Sequence, residues 1–435
     1  MSEAILPLSM AIITLAGILA GYRVGMVLAG SAALFILVSD LPTAFFNLLV
    51  SRIYANVLSN WLLVAIPMFI FMGLVLEMSG TAERSLKAAQ RALGGSVGGM
   101  GMSVLVIGVL LAASSGIVGA SVVLLSLLAL PRLLEAGYDD RTSAGLVTAS
   151  GTLAILIPPS VMLIILGDQL KTPVPSMFAG AIGPGLLLVV IYALYILWRA
   201  KSLPPAPRTE MTSLWRLLRD LGPLLALVIS VLGSIIAGLA TPTEASGIGA
   251  FGALLMTMLY RKFSLGMMMK AARQTVITTS TVLFLMIGAT CFSAVFKGVG
   301  GDDLVETGIM VFGDGPYVVL AVVMIAIFLL GFVLDWLEIT LILMPIFAPI
   351  IAGLDFGNGL MGPELMIWFG ILVAVNLQTS FLTPPFGFSL FYLRGAIGDR
   401  IATTDIYRGV LPFILLQLVV LGLLISFPEL ITGLT

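Results

Sequence analysis

NLQTSFLTPPFG, from Asn376 to Gly387, places a glutamine, two threonines, two prolines and a glycine inside a long apolar run. A proline deletes an amide donor and collides with the carbonyl four residues earlier, so Pro384 and Pro385 interrupt any helix that contains them and free several carbonyls. In hydrocarbon each unmet backbone group costs several kcal/mol, so such an interruption must face protein or a water-filled cavity. Converging carbonyl and hydroxyl oxygens suit a dehydrated cation. The half-helix that restarts beyond the break offers its positive dipole end to an anion.

The surroundings of that stretch set its solvent. The chain has 435 residues, 60% of them hydrophobic and only 10% charged, which places it among polytopic membrane proteins. Apolar segments fall near 4–21, 24–39, 61–79, 101–130, 142–167, 180–198, 221–240, 246–260, 274–296, 316–353, 364–393 and 409–432. They read as helices, because ten-residue alternating strands of the barrel type are absent. The first segment lacks the basic leader and cleavage site of a signal peptide and is expected to remain in the mature chain. Cys291 is the single cysteine, so no internal disulfide forms, and the chain has no histidine, the commonest metal ligand and general base. A cation held at the break is therefore expected to be sodium rather than a transition metal. A net charge of -1, thinly spread, carries no footprint for nucleic acid, and the surrounding partner is membrane lipid.

Two segments, 101–130 and 316–353, are too long for one ordinary crossing, and each has a polar or small-residue break near its middle. SSGIVGAS (Ser114 to Ser121) breaks the first and LDWLEIT (Leu334 to Thr340) the second, so each is expected to dip into the membrane and turn back as a re-entrant hairpin. Basic residues cluster at Arg84, Lys87 and Arg91, at Arg199 to Arg219, and at Arg261 to Arg273, which the positive-inside rule puts in the cytoplasm. The acidic loop with Asp302, Asp303, Glu306 and Asp314 then faces the other side. TAERSLKAAQRALGG reads as an amphipathic interfacial helix ended by glycine, and SLPPAPRTE (Ser202 to Glu210) as a linker that halves the chain.

That division exposes a repeat. GTLAILIPPSVMLIILG (Gly151 to Gly167) in the first half answers QTSFLTPPFGFSLFYLRG (Gln378 to Gly395) in the second. Each has a Pro-Pro pair inside an apolar span, each follows one of the two long interrupted segments, and each precedes a closing span opened by an aromatic, a glycine and a proline. One such pair would read as a simple kink; two in corresponding positions of two halves point to the binding site of a secondary transporter.

The remaining polar residues sort into supports and candidates. Asp335 and Glu338 have the spacing of an N-cap and its third-position partner, and Asp335 equally serves as support for an ion site. In ATPTEAS (Ala240 to Ser246), Thr241 caps, Pro242 takes the first helical position and Glu244 closes a capping box. Arg394 either pairs with a substrate carboxylate or snorkels to the interface. Without histidine there is no Ser/His or Cys/His pair, and no lysine lies close in sequence to Ser114 and Ser115 to act as base, so an enzyme is not expected.

With these residues in view, the chain resembles the large membrane subunit of the tripartite ATP-independent periplasmic (TRAP) transporters. AIPMFIFMGLVLEMSG, RALGGSVGGMGM, ASSGIVGAS, PRLLEAGYDDRTSAGLVTASGTLAILIPPS, LATPTEASGIGAFGALL, LLGFVLDWLEITLILMPIFAPI and LTPPFGFSLF carry the likeness, in order, nearly end to end. The resemblance implies an all-α fold of two inverted structural repeats, each with a re-entrant hairpin and a Pro-Pro-broken helix. Its function would be a sodium-driven importer with an elevator movement, fed by a periplasmic substrate-binding protein and widened by a small four-helix membrane subunit, its cargo a small organic acid. The expected organisation is scaffold helices and an arm helix over 1–100, the first half of a transport domain over 101–179, and scaffold with the central linker over 180–315. The second half of the transport domain then spans 316–403, and a closing scaffold helix 404–435. Carried over onto matching positions, the first tip is Ser114, Ser115 and Gly116 and the first break Gly151, Thr152, Pro158 and Pro159. The second tip is Asp335 and its surroundings, and the second break Gln378, Thr379, Ser380, Thr383, Pro384 and Pro385. Among these, Ser114, Ser115, Gln378, Thr379 and Arg394 are the expected substrate contacts. Ser115, Gly116, Gly151, Thr152, Pro158, Asp335, Ser380, Thr383 and Pro384 are the expected ligands of one or more sodium ions. Ile117 departs from the Ser-Gly-Ser that the family often has at the first tip. The rival expectation is a stand-alone sodium/anion symporter or oxyanion permease of the same broad fold, needing no binding protein.

Overall fold

The computed structural model describes residues 4–39, 41–42, 44–93, 98–201, 214–357 and 359–435, and among them it is helical with no strand. The linker at 202–210 and the glycines expected to end the helix after Leu93 lie outside the described residues.

The chain opens with α1 (Ile5–Leu19), α2 (Val24–Val38), α3 (Ala44–Ile53), α4 (Ala65–Met78) and α5 (Thr81–Leu93). Next come α6 (Gly99–Ser115), α7 (Val118–Leu128), α8 (Leu130–Glu135), α9 (Asp140–Thr152), α10 (Val161–Leu170) and α11 (Val174–Ala200). The second half has α12 (Leu214–Ile236), α13 (Pro242–Leu259), α14 (Leu265–Gly298), α15 (Gly301–Met310), α16 (Pro316–Leu330) and α17 (Trp336–Ala352). It closes with α18 (Gly362–Leu382), α19 (Phe388–Ile397), α20 (Thr403–Ser426) and α21 (Glu429–Thr432). Among the described residues seven helical stretches are long and apolar enough to cross a membrane, including Val174–Ala200, Leu265–Gly298, Gly362–Leu382 and Thr403–Ser426. α3, α15 and the first two turns of α14 fall in stretches that apolar run length passes over, because Asn47 and Arg52 in α3, the acids of α15 and Lys270 in α14 dilute the signal.

Local chemistry starts several helices as expected. Thr241 accepts from the Glu244 amide while Glu244 Oε2 receives the Thr241 amide at 2.8 Å, and Pro242 sits at the first helical position. Asp139 caps α9 by accepting from the Thr142 amide at 3.2 Å.

Packing divides the helices by what they face. α2, α4, α13 and α14 pack together, with α12 against α13, and leave large apolar side chains such as Leu37, Phe251 and Val276 exposed for lipid. α18 lies at the other extreme, with every residue from Leu365 to Leu382 buried, so this apolar helix meets protein on all sides. α9 packs on α7, α6 and α20, and α18 on α16, α10, α11 and α20. Close helix crossings depend on glycine: a Cβ on Gly288 of α14 would fall 2.4 Å from the Gly25 carbonyl oxygen of α2, and one on Gly145 of α9 would fall 2.1 Å from that of Gly409 in α20.

Candidate functional site at the two helix breaks

The first break is built by two elements that meet. α6 runs to Ser115, Gly116 turns in the left-handed region with φ 58°, Ile117 is extended, and α7 returns. Gly116 lies against the second element, since a Cβ there would sit 3.5 Å from the Pro159 carbonyl oxygen and 3.4 Å from the Val161 amide nitrogen. That element is α9, which tightens into a 3-10 turn at Leu153–Ile155, breaks at Pro158 and Pro159, whose shared peptide bond is cis, and restarts as α10. Ser160 spans the interruption by donating its Oγ proton to the Ile155 carbonyl at 2.7 Å. Gly151 is pressed against α7, where a Cβ would meet Val122 Cγ2 at 2.4 Å.

The second break repeats the construction with different residues. α16 ends at Leu330, α17 starts at Trp336, and Gly331 in the turn between them touches α18, where a Cβ would fall 2.3 Å from Ser380 Oγ. α17 opens on the expected capping box, with Glu338 Oε2 receiving the Asp335 amide at 3.1 Å. α18 ends at Leu382, and the amide of the following Thr383 donates to the Ser380 carbonyl at 3.1 Å; the chain then passes through the cis Pro384–Pro385 bond and restarts as α19. Ser389 Oγ donates back across the gap to the Phe381 carbonyl at 2.6 Å, and Tyr407 of α20 donates to the Pro385 carbonyl at 3.2 Å.

The two breaks are joined. Gln378 of α18 is fully buried and donates from Nε2 to Thr152 Oγ1 of α9 at 3.4 Å, while its Oε1 has no partner among the described residues. The halves also cross over each other: α7 packs on α19, where Gly119 lies flat against the Tyr392 ring, and α10 packs on α17. Each tip helix therefore supports the restarted helix of the opposite break.

The hydroxyls at the breaks have a common chemistry. Ser114, Thr152, Thr379, Ser380 and Thr383 each donate the hydroxyl proton to a carbonyl three or four residues back in their own helix, at 2.8 to 3.1 Å. A hydroxyl that has placed its proton keeps only lone pairs to offer a further partner, which is what a hard cation requires. Among the described residues no group of three or more histidines, cysteines, aspartates or glutamates could hold a metal, and the polar atoms at the breaks are hydroxyl and carbonyl oxygens. The half-helix starts differ as well. α17 closes its own N-terminus through Asp335 and Glu338, whereas Ile117, Ser160 and Gly387, the N-caps of α7, α10 and α19, make no side-chain cap bond.

Two expected site residues stand apart. The side chain of Ser115 lies outside the described residues. Arg394 is not brought to the breaks: its guanidinium pairs with Asp399 and donates to the Ile401 carbonyl at 2.8 Å, at the far end of α19. Ser160, Ser389 and Tyr407 hold the breaks without having been singled out in the sequence. A hydroxyl shortly after each Pro-Pro pair was the available signal for the two serines.

Comparison with known proteins agrees with this architecture. Residues 11–430 match the family model described as the tripartite ATP-independent periplasmic transporter, DctM component. The chain is 30% identical to the C4-dicarboxylate TRAP transporter large permease protein DctM of Pseudomonas aeruginosa, over 85% of both chains. It is 31% identical to the ectoine/5-hydroxyectoine large permease UehC of Ruegeria pomeroyi over 84% of both, and 27% identical to the sialic acid large permease SiaM of Vibrio cholerae over 94% of both. Among solved structures, the YdaH transporter of Alcanivorax borkumensis superimposes with a TM-score of 0.62 at 17% identity, covering 90% of each chain, which is a likeness of fold. With a family match from residue 11 to residue 430 on a multi-pass helical frame, the chain belongs to the DctM family, the large permease subunits of TRAP transporters, and is a multi-pass protein of the inner membrane.

Proposed function

We propose that this chain is the sodium-coupled permease of an importer for small organic acids, taking its cargo from a periplasmic binding protein. Family membership supports a secondary transporter with separate partner subunits, a small four-helix membrane protein and the soluble receptor. The names of relatives include a C4-dicarboxylate and a sialic acid transporter, and an anionic cargo fits the uncapped half-helix starts of α7, α10 and α19.

The observation that carries the sodium reading is the set of hydroxyl oxygens at two linked breaks with their protons already placed, joined by the Gln378–Thr152 contact. Ser115, Gly116, Gly151, Thr152 and Pro158 form the first ion locus, through hydroxyls and backbone carbonyls. Asp335, Ser380, Thr383 and Pro384 form the second. Asp335 acts there by fixing the start of α17 and by its negative charge near the ion. Ser114, Thr379 and the unpartnered Oε1 of Gln378 face the cargo between the loci. In this reading α6 with α7, and α16 with α17, are re-entrant hairpins of two inverted repeats. Residues 101–179 and 316–403 move as one transport domain past the scaffold of 1–100, 180–315 and 404–435. The crossed packing of α7 on α19 and α10 on α17 supports such a unit, because it ties the two halves to each other.

The test is uptake by proteoliposomes containing this chain and its small subunit, with the binding protein outside and labelled succinate or a 2-oxo acid as cargo, with and without an inward sodium gradient. Wild type should require both sodium and receptor, and Thr383→Ala should shift the sodium dependence to higher concentration. Uptake indifferent to sodium, or proceeding without the receptor, would refute the proposal.

A further inference from the structure

A polar cavity lies away from the breaks. It measures about 450 Å³ and opens between α3 and α14 on one side and α10, α17 and α18 on the other. That volume suits a small organic molecule. Three cationic side chains line it, Arg52 of α3, Lys171 just after α10 and Lys297 near the end of α14, together with the Thr290 and Ser293 hydroxyls. No carboxylate lines it among the described residues.

The nearest acids offset part of this charge and leave Arg52 without a counter-ion among the described residues. Lys297 lies 3.4 Å from Asp302 and Lys171 lies 3.9 Å from Asp168, while Arg52 makes no ion pair among the described residues. Asp168 also accepts from Asn60 Nδ2 at 2.7 Å and from Gln169 Nε2 at 2.9 Å, and its side chain is 9% exposed. The other wall is apolar, with Leu341 and Pro345 of α17 in it. Cations gathered over a low-dielectric wall focus the field into the cavity and raise the local concentration of anions.

Its position links it to the breaks. α10 begins at the first break and, ten residues later, ends beside Lys171, a rise of about 15 Å. α17 begins at the second tip, and Leu341, six residues after Asp335, lies about 9 Å along the same helix axis. Both half-helices therefore connect a break to this cavity. Arg52 and Lys297 belong to helices outside the broken-helix unit, whereas Lys171 is part of it.

We propose that this cavity is an anion-receiving antechamber, in which Arg52, Lys171 and Lys297 hold the carboxylate of an incoming small organic acid before it reaches the breaks. The assignment rests on the transporter reading. It adds a consequence of it: movement of the broken-helix unit carries Lys171 away from Arg52 and Lys297, so the antechamber loses a third of its cationic lining and releases the acid. A lipid phosphate headgroup offers the same charge, and the experiment separates the two sources.

The experiment places a reporter thiol in the cavity, Ala348→Cys in a Cys291→Ala background, reconstituted with the small subunit in neutral phosphatidylcholine. Labelling rates by an anionic and a cationic methanethiosulfonate reagent are each normalised to a free thiol. The antechamber predicts an anionic preference of about tenfold, reduced toward unity by Arg52→Gln with Lys297→Gln, and slowed anionic labelling in the presence of succinate. In uptake, Arg52→Gln should raise KM several-fold with Vmax within twofold and the sodium dependence unchanged. A ratio near one, or one indifferent to both substitutions, overturns the proposal. Loss of the preference on adding phosphatidylglycerol, without protection by succinate, also overturns it and identifies a lipid headgroup as the occupant. Failure of the transport reading is distinguishable, because sodium-indifferent uptake with an intact labelling preference leaves the anion pocket standing. Normal sodium-driven uptake with no labelling preference removes the pocket alone.

Discussion

Gly145→Ala tests the packing that positions the first break. The added methyl would fall 2.1 Å from the Gly409 carbonyl oxygen, with Phe413 Cε2 at 2.9 Å, and the same crossing read from α20 puts a Gly409 Cβ 2.1 Å from the Arg141 carbonyl. Ordinary carbon-to-oxygen contact lies near 3.3 Å, so α9 and α20 must part by about 1 Å, and neither obstacle is a flexible side-chain end. Overpacking of this kind costs about 1 to 3 kcal/mol. The displacement also propagates, since Thr152 lies seven residues, about two turns, along α9 and meets Gln378 at 3.4 Å, a contact already near its limit. The expected result is a lowered thermal midpoint in lipid or detergent together with slower uptake. Gly233→Ala supplies the contrast, because nothing lies within 4 Å of a Cβ at that exposed position of α12, and removing a helical glycine there should be neutral or stabilising by up to ~1 kcal/mol. Equal midpoints for Gly145→Ala and Gly233→Ala would show that the α9–α20 crossing is not the close contact described.

Three other outcomes follow from single residues. Ser389→Ala removes the proton donated to the Phe381 carbonyl at 2.6 Å in a fully buried position, and should cost about 1 to 3 kcal/mol by thermal unfolding; a midpoint equal to wild type would mean that this carbonyl finds another donor. Arg394→Gln should leave the KM of uptake within twofold and lower stability by less than ~1 kcal/mol, because the guanidinium serves Asp399 and Ile401; a tenfold rise in KM would instead place it on the cargo. Burial opposes ionisation of Asp139, but hydrogen bonds from the Thr142 hydroxyl and amide, with the Arg199 guanidinium nearby, hold its carboxyl below the ordinary carboxylate range. A depressed folded pKa makes the contribution complete above about pH 4, the unfolded value, and lost as pH falls through the folded one. Asp139→Asn should therefore cost about 1 kcal/mol or less at pH 7, most of it from the cap because the exposed Arg199 pair is screened, and the cost should shrink as pH falls below 4; a cost independent of pH would refute the charge as its source.

Features written in a few adjacent residues are legible in the amino-acid sequence. The Pro-Pro pairs, the turn at Gly116, the Asp335–Glu338 box and the Thr241–Pro242–Glu244 start each depend on backbone chemistry within one or two turns, and each stands where those residues indicate. α3 is not legible, because Asn47 and Arg52 dilute an apolar stretch whose exposed side chains still require a nonaqueous neighbour. Arg394 is legible only as a cation; the turn that follows α19 brings it Asp399 and the Ile401 carbonyl.

By itself, the amino-acid sequence determined the solvent, the helical class and the two places where a spanning helix must stop, because hydropathy and the missing amide of proline act locally and survive any tertiary arrangement. Tertiary structure alone decided what those breaks touch. Gln378 meets Thr152 across 226 positions, α7 supports α19 while α10 supports α17, and Arg52, Lys171 and Lys297 from three separate segments share one cavity. None of these pairings has a sequence period, because each results from the packing of surfaces that every helix offers to many possible neighbours. Close approaches such as Gly145 on Gly409 select one arrangement among them.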